Sequence, residues 1–134
     1  GDLGKKMHTG KSRNDQVITD ARLFAKDALQ RLIQETQRLV TALVTLAETH
    51  PNTLFPGFTH FQPAQPVLFS HYILAYAQKF MRDIQRFEQA FDTSDVCTLG
   101  SGALAGNNYA LDRQFMADLL GFSRISFNSM VQIF

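Results

Sequence analysis

Three polar segments of the chain carry residue types that could do chemistry. The first, His8-Thr9-Gly10-Lys11-Ser12-Arg13-Asn14-Asp15, is net basic and leads into a long stretch of periodic apolar residues. The start of a helix offers free N–H groups and a positive dipole end to a carboxylate or phosphate, so this segment is a candidate anion site. The alternative is helix termination alone, because Ser12-x-x-Asp15 fits a capping box and Asn14 is itself a good N-cap residue.

The second segment, Pro56-Gly57-Phe58-Thr59-His60-Phe61-Gln62-Pro63-Ala64-Gln65-Pro66, lies inside a stretch from Thr49 to Gln78 that has no Asp, Glu, Lys or Arg. Its prolines, glutamines and histidines are too costly for a membrane span, so we expect a buried, polar, uncharged segment. The His60 imidazole suits proton transfer, with a buried carboxylate to orient it. The alternative is a buried histidine satisfied by backbone carbonyls.

The third segment, Gly100-Ser101-Gly102-Ala103-Leu104-Ala105-Gly106, formally matches the dinucleotide pattern G-x-G-x-x-A over its first six residues. No β-strand is predicted before these glycines, and no acidic residue follows about twenty positions on, which argues against a nucleotide site. So many small residues instead indicate close backbone approach to a helix or a ligand.

Three predicted helices must position these segments. Apolar residues at steps of three and four predict one helix from Asp15 to about Glu48 and a second from Leu68 to Thr93. A shorter helix is expected after Asn107, ending at Gly121 in the left-handed conformation of a C-cap. Strand-like alternation is nearly absent, so the predicted fold class is all-α.

The length of the first predicted helix constrains the architecture. About 34 residues at 1.5 Å rise span roughly 50 Å, whereas a compact domain of this size is about 36 Å across. We therefore expect an elongated bundle completed by further sequence or by other subunits. The alternative is a helical hairpin bent at an unrecognised kink.

Charge and cysteine content exclude several function classes. Thirteen Lys and Arg against twelve Asp and Glu leave a net charge of +1, which provides no global field for nucleic acid or a membrane surface. The single cysteine, Cys97, excludes an internal disulfide framework and fits a reducing compartment. The four histidines lack zinc-ligand spacing, so no metal is expected.

Taken together and in this order, the three segments resemble argininosuccinate lyase, a family of the fumarase/aspartase superfamily that includes the δ-crystallins. The resemblance runs from about Asp2 to Met130, with further matches at Ala64-Gln65-Pro66-Val67 and Asp112-Arg113. It implies an all-α bundle of long helices, incomplete in this chain. Residues 1–134 would form a partial lyase domain: the end of the N-terminal region and the first part of the central bundle.

The resemblance also implies an activity and a site. The family cleaves argininosuccinate to L-arginine and fumarate without a cofactor or metal, in the arginine-biosynthetic or urea-cycle metabolism of the cytoplasm. It works as a homotetramer whose active sites are shared between subunits. His60 matches the acid/base histidine, Asn14 and Thr59 match substrate-binding positions, and Ser12 and Arg13 lie in the same anion-holding block.

The sequence departs from the family pattern at several points. The family's mobile Gly-Ser-Ser-x-Met-Pro loop, which carries a proton-transfer serine, is absent, so the isolated chain is predicted to be inactive. Residues 131–134 do not follow the family and are predicted to be a foreign tail, and Thr98 replaces a common proline. Two alternatives stay open: a δ-crystallin-like structural protein, and a truncated helical interaction module without catalysis.

Overall fold

Helices dominate the computed structural model, which describes residues 1–131. The elements are α1 (Asp2–Lys6), α2 (Arg13–Thr49), β1 (Leu54–Thr59), β2 (Gln62–Leu68), α3 (Phe69–Ser94), β3 (Val96–Cys97), α4 (Arg113–Leu119) and β4 (Arg124–Ile125). They form two compact units: Gly1–Leu29 with the described residues from Ala90 onward, and Gln30–Gln89. Of the predicted tail, residues 132–134 lie outside the described residues.

The two long helices confirm the periodicity prediction to within two residues at each end. The helix predicted from Asp15 to about Glu48 is α2, and the one predicted from Leu68 to Thr93 is α3. On α2, five apolar residues spaced seven or eight apart remain exposed, and we call them the α2 apolar stripe: Val17, Phe24, Leu32, Leu39 and Leu46.

The third helix is shorter than predicted at its start. The helix α4 begins at Arg113 because Asp112 takes the N-cap position, where its carboxylate accepts a hydrogen bond from the N–H of Phe115 at 2.9 Å. The segment from Asn107 to Asp112 is not helical. Gly121 adopts a φ of 70°, which confirms the left-handed stop.

The all-α prediction is confirmed only in part: helices predominate, but β1 and β2 form an antiparallel hairpin, with Leu54 opposite Leu68 and Thr59 opposite Gln62. The sequence did not predict this hairpin because prolines interrupt the alternation of apolar and polar residues that marks a strand. In a two-stranded hairpin both strands are edge strands, where proline is tolerated. The register shifts between Pro56 and Phe58. A Cβ atom on the intervening Gly57 would lie 2.6 Å from the carbonyl oxygen of Gln65, so only glycine fits there.

Each unit has its own packing. In the first, Cys97 of β3 forms a buried cluster with Ala117 and Phe122, and β3 pairs in parallel with β4. In the second, the ring of Phe55 on β1 stacks on Tyr72 of α3 with centroids 5.0 Å apart, so the hairpin packs on the first turns of α3. Over residues 1–131, no helix combines the length and apolarity needed to cross a bilayer.

Candidate active-site segments

The carboxylate of Asp15 joins the first segment to the third. Its Oδ1 accepts the N–H of Ser12 at 3.0 Å, and its Oδ2 accepts the N–H groups of Gly100 at 3.2 Å and Gly102 at 2.8 Å. The residue is fully buried. The start of α2 and the glycine segment are therefore one assembly inside the first unit.

Two threonines reinforce this assembly through the main chain of Asp15. The Oγ1 atoms of Thr19 and Thr98 donate hydrogen bonds to the Asp15 carbonyl oxygen at 2.7 and 3.2 Å. The two hydroxyls also lie 2.8 Å from each other, and both residues are buried. Thr98, which departs from the family pattern, thus supplies a hydroxyl contact that proline could not make.

The capping alternative is confirmed for Ser12. This residue precedes the first residue of α2, its Oγ accepts the N–H of Asn14 at 3.2 Å, and its carbonyl accepts the N–H of Gln16 at 3.3 Å. Asn14 is not the N-cap, since it lies inside the first turn. Its Nδ2 donates to the carbonyl oxygen of Ala103 at 3.3 Å, and the side chains of Arg13 and Asn14 remain exposed.

The glycine segment shows the close backbone approach that its composition predicts. Gly100, Gly102 and Gly106 all adopt positive φ, and a Cβ on Gly102 would lie 2.5 Å from the Gly106 carbonyl oxygen. The prediction that no β-strand precedes the glycines is wrong, because the two-residue strand β3 ends shortly before Gly100. The Gly100 and Gly102 amides nevertheless bind Asp15, so they do not form a phosphate cradle.

Arg113 holds the other side of the glycine segment. Its guanidinium donates to the carbonyl oxygen of Leu99 at 3.0 Å and to the hydroxyl of Ser126 at 2.7 Å. Sequence reasoning gave Arg113 no role beyond a family match and Asp15 no role beyond capping. An acidic residue at a helix start predicts the local hydrogen bond between Asp15 and Ser12, but not the bonds from Gly100 and Gly102.

Thr59 and His60 lie at the end of the hairpin in the second unit. Thr59 ends β1, and His60 and Phe61 form a two-residue turn with φ values of 50° and 60°. Histidine, like asparagine and aspartate, is enriched at positive φ, so the backbone strain at this turn falls mainly on Phe61.

The predicted burial of this segment is wrong. Thr59 and His60 are exposed, and the Phe61 side chain is 99% exposed. Within residues 1–131 no hydrogen bond holds the His60 imidazole, so the expected carboxylate partner is not found there. Over the same residues, no three His, Cys, Asp or Glu side chains are grouped to hold a metal ion.

The structure therefore brings Ser12 and Asn14 together with the glycine segment in the first unit, and Thr59 together with His60 in the second. A family model described as Lyase matches residues 1–133. The chain belongs to this lyase family. Since the match covers nearly every residue, both units are part of it.

Within the lyase family, the chain is similar to curated argininosuccinate lyases. Argininosuccinate lyase of Caldanaerobacter subterraneus subsp. tengcongensis is 48% identical over 130 residues, which is 97% of this chain and 30% of that protein. The corresponding enzyme of Desulforamulus reducens is 49% identical over 97% of this chain and 28% of its own length. The resemblance found from sequence is confirmed, and the chain spans about 30% of the length of these relatives.

Solved structures of EDDS lyase share the fold. One in complex with formate has a TM-score of 0.93 and 32% identity, over 96% of this lyase chain and 26% of that chain. A doubly substituted variant with bound fumarate has a TM-score of 0.95 and 32% identity, over 99% of this chain and 27% of that one. These matches fit the fumarase/aspartase fold, with strands in addition to the predicted helices.

Proposed function

We propose that this chain is part of an argininosuccinate lyase, which cleaves argininosuccinate into L-arginine and fumarate by a cofactor-free elimination in the cytoplasm. The observation that carries the proposal is the 48–49% identity, over 97% of the chain, to enzymes of that name. A structural neighbour with bound fumarate supports the class of product.

The elimination needs three kinds of group. A base removes a weakly acidic proton from the carbon beside a carboxylate, and hydrogen-bond donors stabilise the dianionic aci-carboxylate that forms. An acid protonates the departing guanidino nitrogen. His60 is the proposed acid/base residue. Its exposed position at the turn leaves the imidazole accessible to a ligand.

Ser12, Arg13, Asn14 and Thr59 are the proposed substrate-binding residues. Arg13 and Asn14 are exposed at the first turn of α2, where the helix dipole also favours a carboxylate. Ser12 precedes them in the same segment and also sets the start of the helix. Thr59 is exposed at the end of β1 and directly precedes His60 in the chain.

We also propose a homotetramer with shared active sites. The α2 apolar stripe supports it: spacings of seven or eight residues are typical of helices that pack along one another, and its members are 38–71% exposed. The proposed partners are thus the substrate and further copies of the enzyme, with no nucleic acid or membrane involved.

A chimera tests the proposal. This chain replaces the matching 130 residues of the Caldanaerobacter enzyme, and fumarate release from argininosuccinate is measured. We expect turnover in the chimera, none in the isolated chain, and a loss of roughly 10²- to 10⁴-fold for His60→Ala. His71→Ala is the matched control, since this second histidine of the charge-free stretch lies on α3, and it should keep activity.

Two results would overturn these expectations. A folded, assembled chimera without turnover would favour the δ-crystallin-like structural protein. Turnover by the isolated chain, abolished by His60→Ala, would show that the chain needs no further segments.

The α2 apolar stripe also favours a second candidate function, a helical interaction module that joins intact lyase subunits. Co-expression with an intact lyase tests it by size-exclusion chromatography and activity. Changed mass or lowered activity supports this function, and unchanged mass with unchanged activity removes it.

A further inference from the structure

Two hydrogen bonds and a short stretch of backbone connect the Asp15 carboxylate to the side chain of its neighbour Asn14. The Asp15 carboxylate binds the N–H of Gly102, Gly102 is followed by Ala103, and the Ala103 carbonyl accepts the Nδ2 of Asn14. We propose that Asp15 is a positioning residue, which orients the Asn14 carboxamide toward a substrate carboxylate through the glycine segment. This role rests on the proposed function of Asn14 as a substrate-binding residue.

The contacts of Asp15 exceed what helix capping requires. A capping acid needs only the N–H of the cap residue, which Ser12 provides. The Gly100 and Gly102 amides bind the second carboxylate oxygen from positions 85 and 87 residues away in sequence. Burying a carboxylate is costly unless it is well hydrogen-bonded, so the position of this loop depends on the Asp15 oxygens.

The position of Gly102 affects the position of Ala103 because contacts within the loop restrict its backbone. Gly102 adopts a φ of 64° and packs against the carbonyl of Gly106, while the N–H of Gly106 donates to the carbonyl of Ser101 at 2.7 Å. Ala103 lies within the short loop that this Gly106–Ser101 hydrogen bond closes. With one Asn14 N–H directed to the Ala103 carbonyl, the second N–H and the Oδ1 atom are available to a ligand.

Asp15→Asn keeps the shape of the side chain but replaces an acceptor oxygen by an NH2 donor facing backbone N–H groups. In the chimera, we expect this variant to raise the KM for argininosuccinate about tenfold, the effect of misplacing one hydrogen bond to a charged ligand. Asn14→Ala should raise KM similarly. The double variant should be no worse than Asn14→Ala alone, because Asp15 acts through Asn14.

Asp95→Asn is the matched control, because Asp95 is also largely buried in the first unit but contacts Lys26 and Ser123 instead. It should lower the Tm and leave KM unchanged. An unchanged KM in Asp15→Asn, or additive effects of the two substitutions, would overturn the positioning role. If Asp15→Asn does not fold, Asp15→Glu, which keeps the charge but shifts the oxygens, is judged by the same KM criterion.

Hydrogen exchange separates this inference from the proposed function. If the unsubstituted chimera does not cleave argininosuccinate, the function fails, but amide exchange over residues 99–106 still measures the loop. Asp15→Asn should speed that exchange at least about tenfold relative to Asp95→Asn. Equal exchange in the two variants would overturn the proposed control of the loop by Asp15.

Discussion

The ammonium group of Lys26 donates a hydrogen bond to the carboxylate of Asp95, although the two residues lie 69 positions apart in sequence. Both side chains are largely buried, with 12% and 14% exposure. The Lys26 Nζ also lies 4.5 Å from the centroid of the Phe122 ring, within range of a cation–π interaction. The pair therefore ties α2 to the segments that follow α3 and α4 in the first unit.

We expect the stability of the first unit to decrease at acidic pH because of the Asp95 carboxyl. Burial by itself would raise its pKa, but hydrogen bonds from Lys26 and Ser123 and the charge of Lys26 hold the pKa below the usual value of an aspartate. Because the folded-state pKa is lowered, the ionised carboxylate contributes its full stability above the unfolded-state pKa, and this contribution is lost as pH falls through the folded-state pKa. Asp95→Asn should therefore cost about 1–3 kcal/mol of unfolding free energy at neutral pH.

Denaturant unfolding of both proteins between about pH 2.5 and pH 7 checks this expectation. The difference between them should shrink as the pH falls. A difference that stays constant across the range would contradict the role of the ionised carboxylate.

Gly102 should tolerate no side chain. Gly102→Ala would place a Cβ 2.5 Å from the Gly106 carbonyl oxygen at a φ of 64°, so strain and clash combine to destabilise by about 2–4 kcal/mol. Gly106→Ala is the matched control: it has a φ of 87° but nothing within 4 Å of the added atom, and should cost about 1 kcal/mol. Equal losses of Tm in the two variants would show that the clash has no effect.

The hairpin turn should become more stable when its strain is relieved. Phe61→Gly removes the cost of a positive φ, about 1 kcal/mol, and the fully exposed Phe61 ring loses no packing within the described chain. Hydrogen exchange of the Thr59 and Gln62 amides should slow in this variant. Leu54→Gly, at the open end of β1, is the control and should speed exchange. Unchanged exchange in Phe61→Gly would mean that the turn stores no strain.

The thiol of Cys97 should react only when the first unit opens. Burial raises the pKa of this thiol, and only 1% of the residue is exposed, so little thiolate is available to a reagent. We expect slow labelling by a disulfide reagent in buffer, rapid labelling in guanidinium, and faster labelling in Asp95→Asn, which opens the unit more often. Immediate reaction of the native chain would contradict this burial.

The long helices could be predicted because their signal is local. Apolar residues three and four apart specify α2 and α3 whatever lies around them. The hairpin could not, since Pro56 and Pro66 face each other in its ladder and its turn uses His60 and Phe61 instead of the usual Asn-Gly.

The hydrogen bonds between the candidate site segments could be predicted only where they are local. The bond from Ser12 to Asp15 follows from a local capping pattern, whereas the bond from Gly102 to Asp15 depends on how the chain folds back. The absence of charge from Thr49 to Gln78 predicts a buried segment. It shows only that the segment avoids charge, and Thr59 and His60 are exposed in the described chain.

The α2 apolar stripe has a practical consequence for anyone who handles this polypeptide. Its net charge is only +1 and its isoelectric point is about 8.1, so copies repel each other weakly near neutral pH. We therefore expect concentrated stocks to self-associate through this exposed apolar surface. Light scattering during purification is thus as informative as an activity assay.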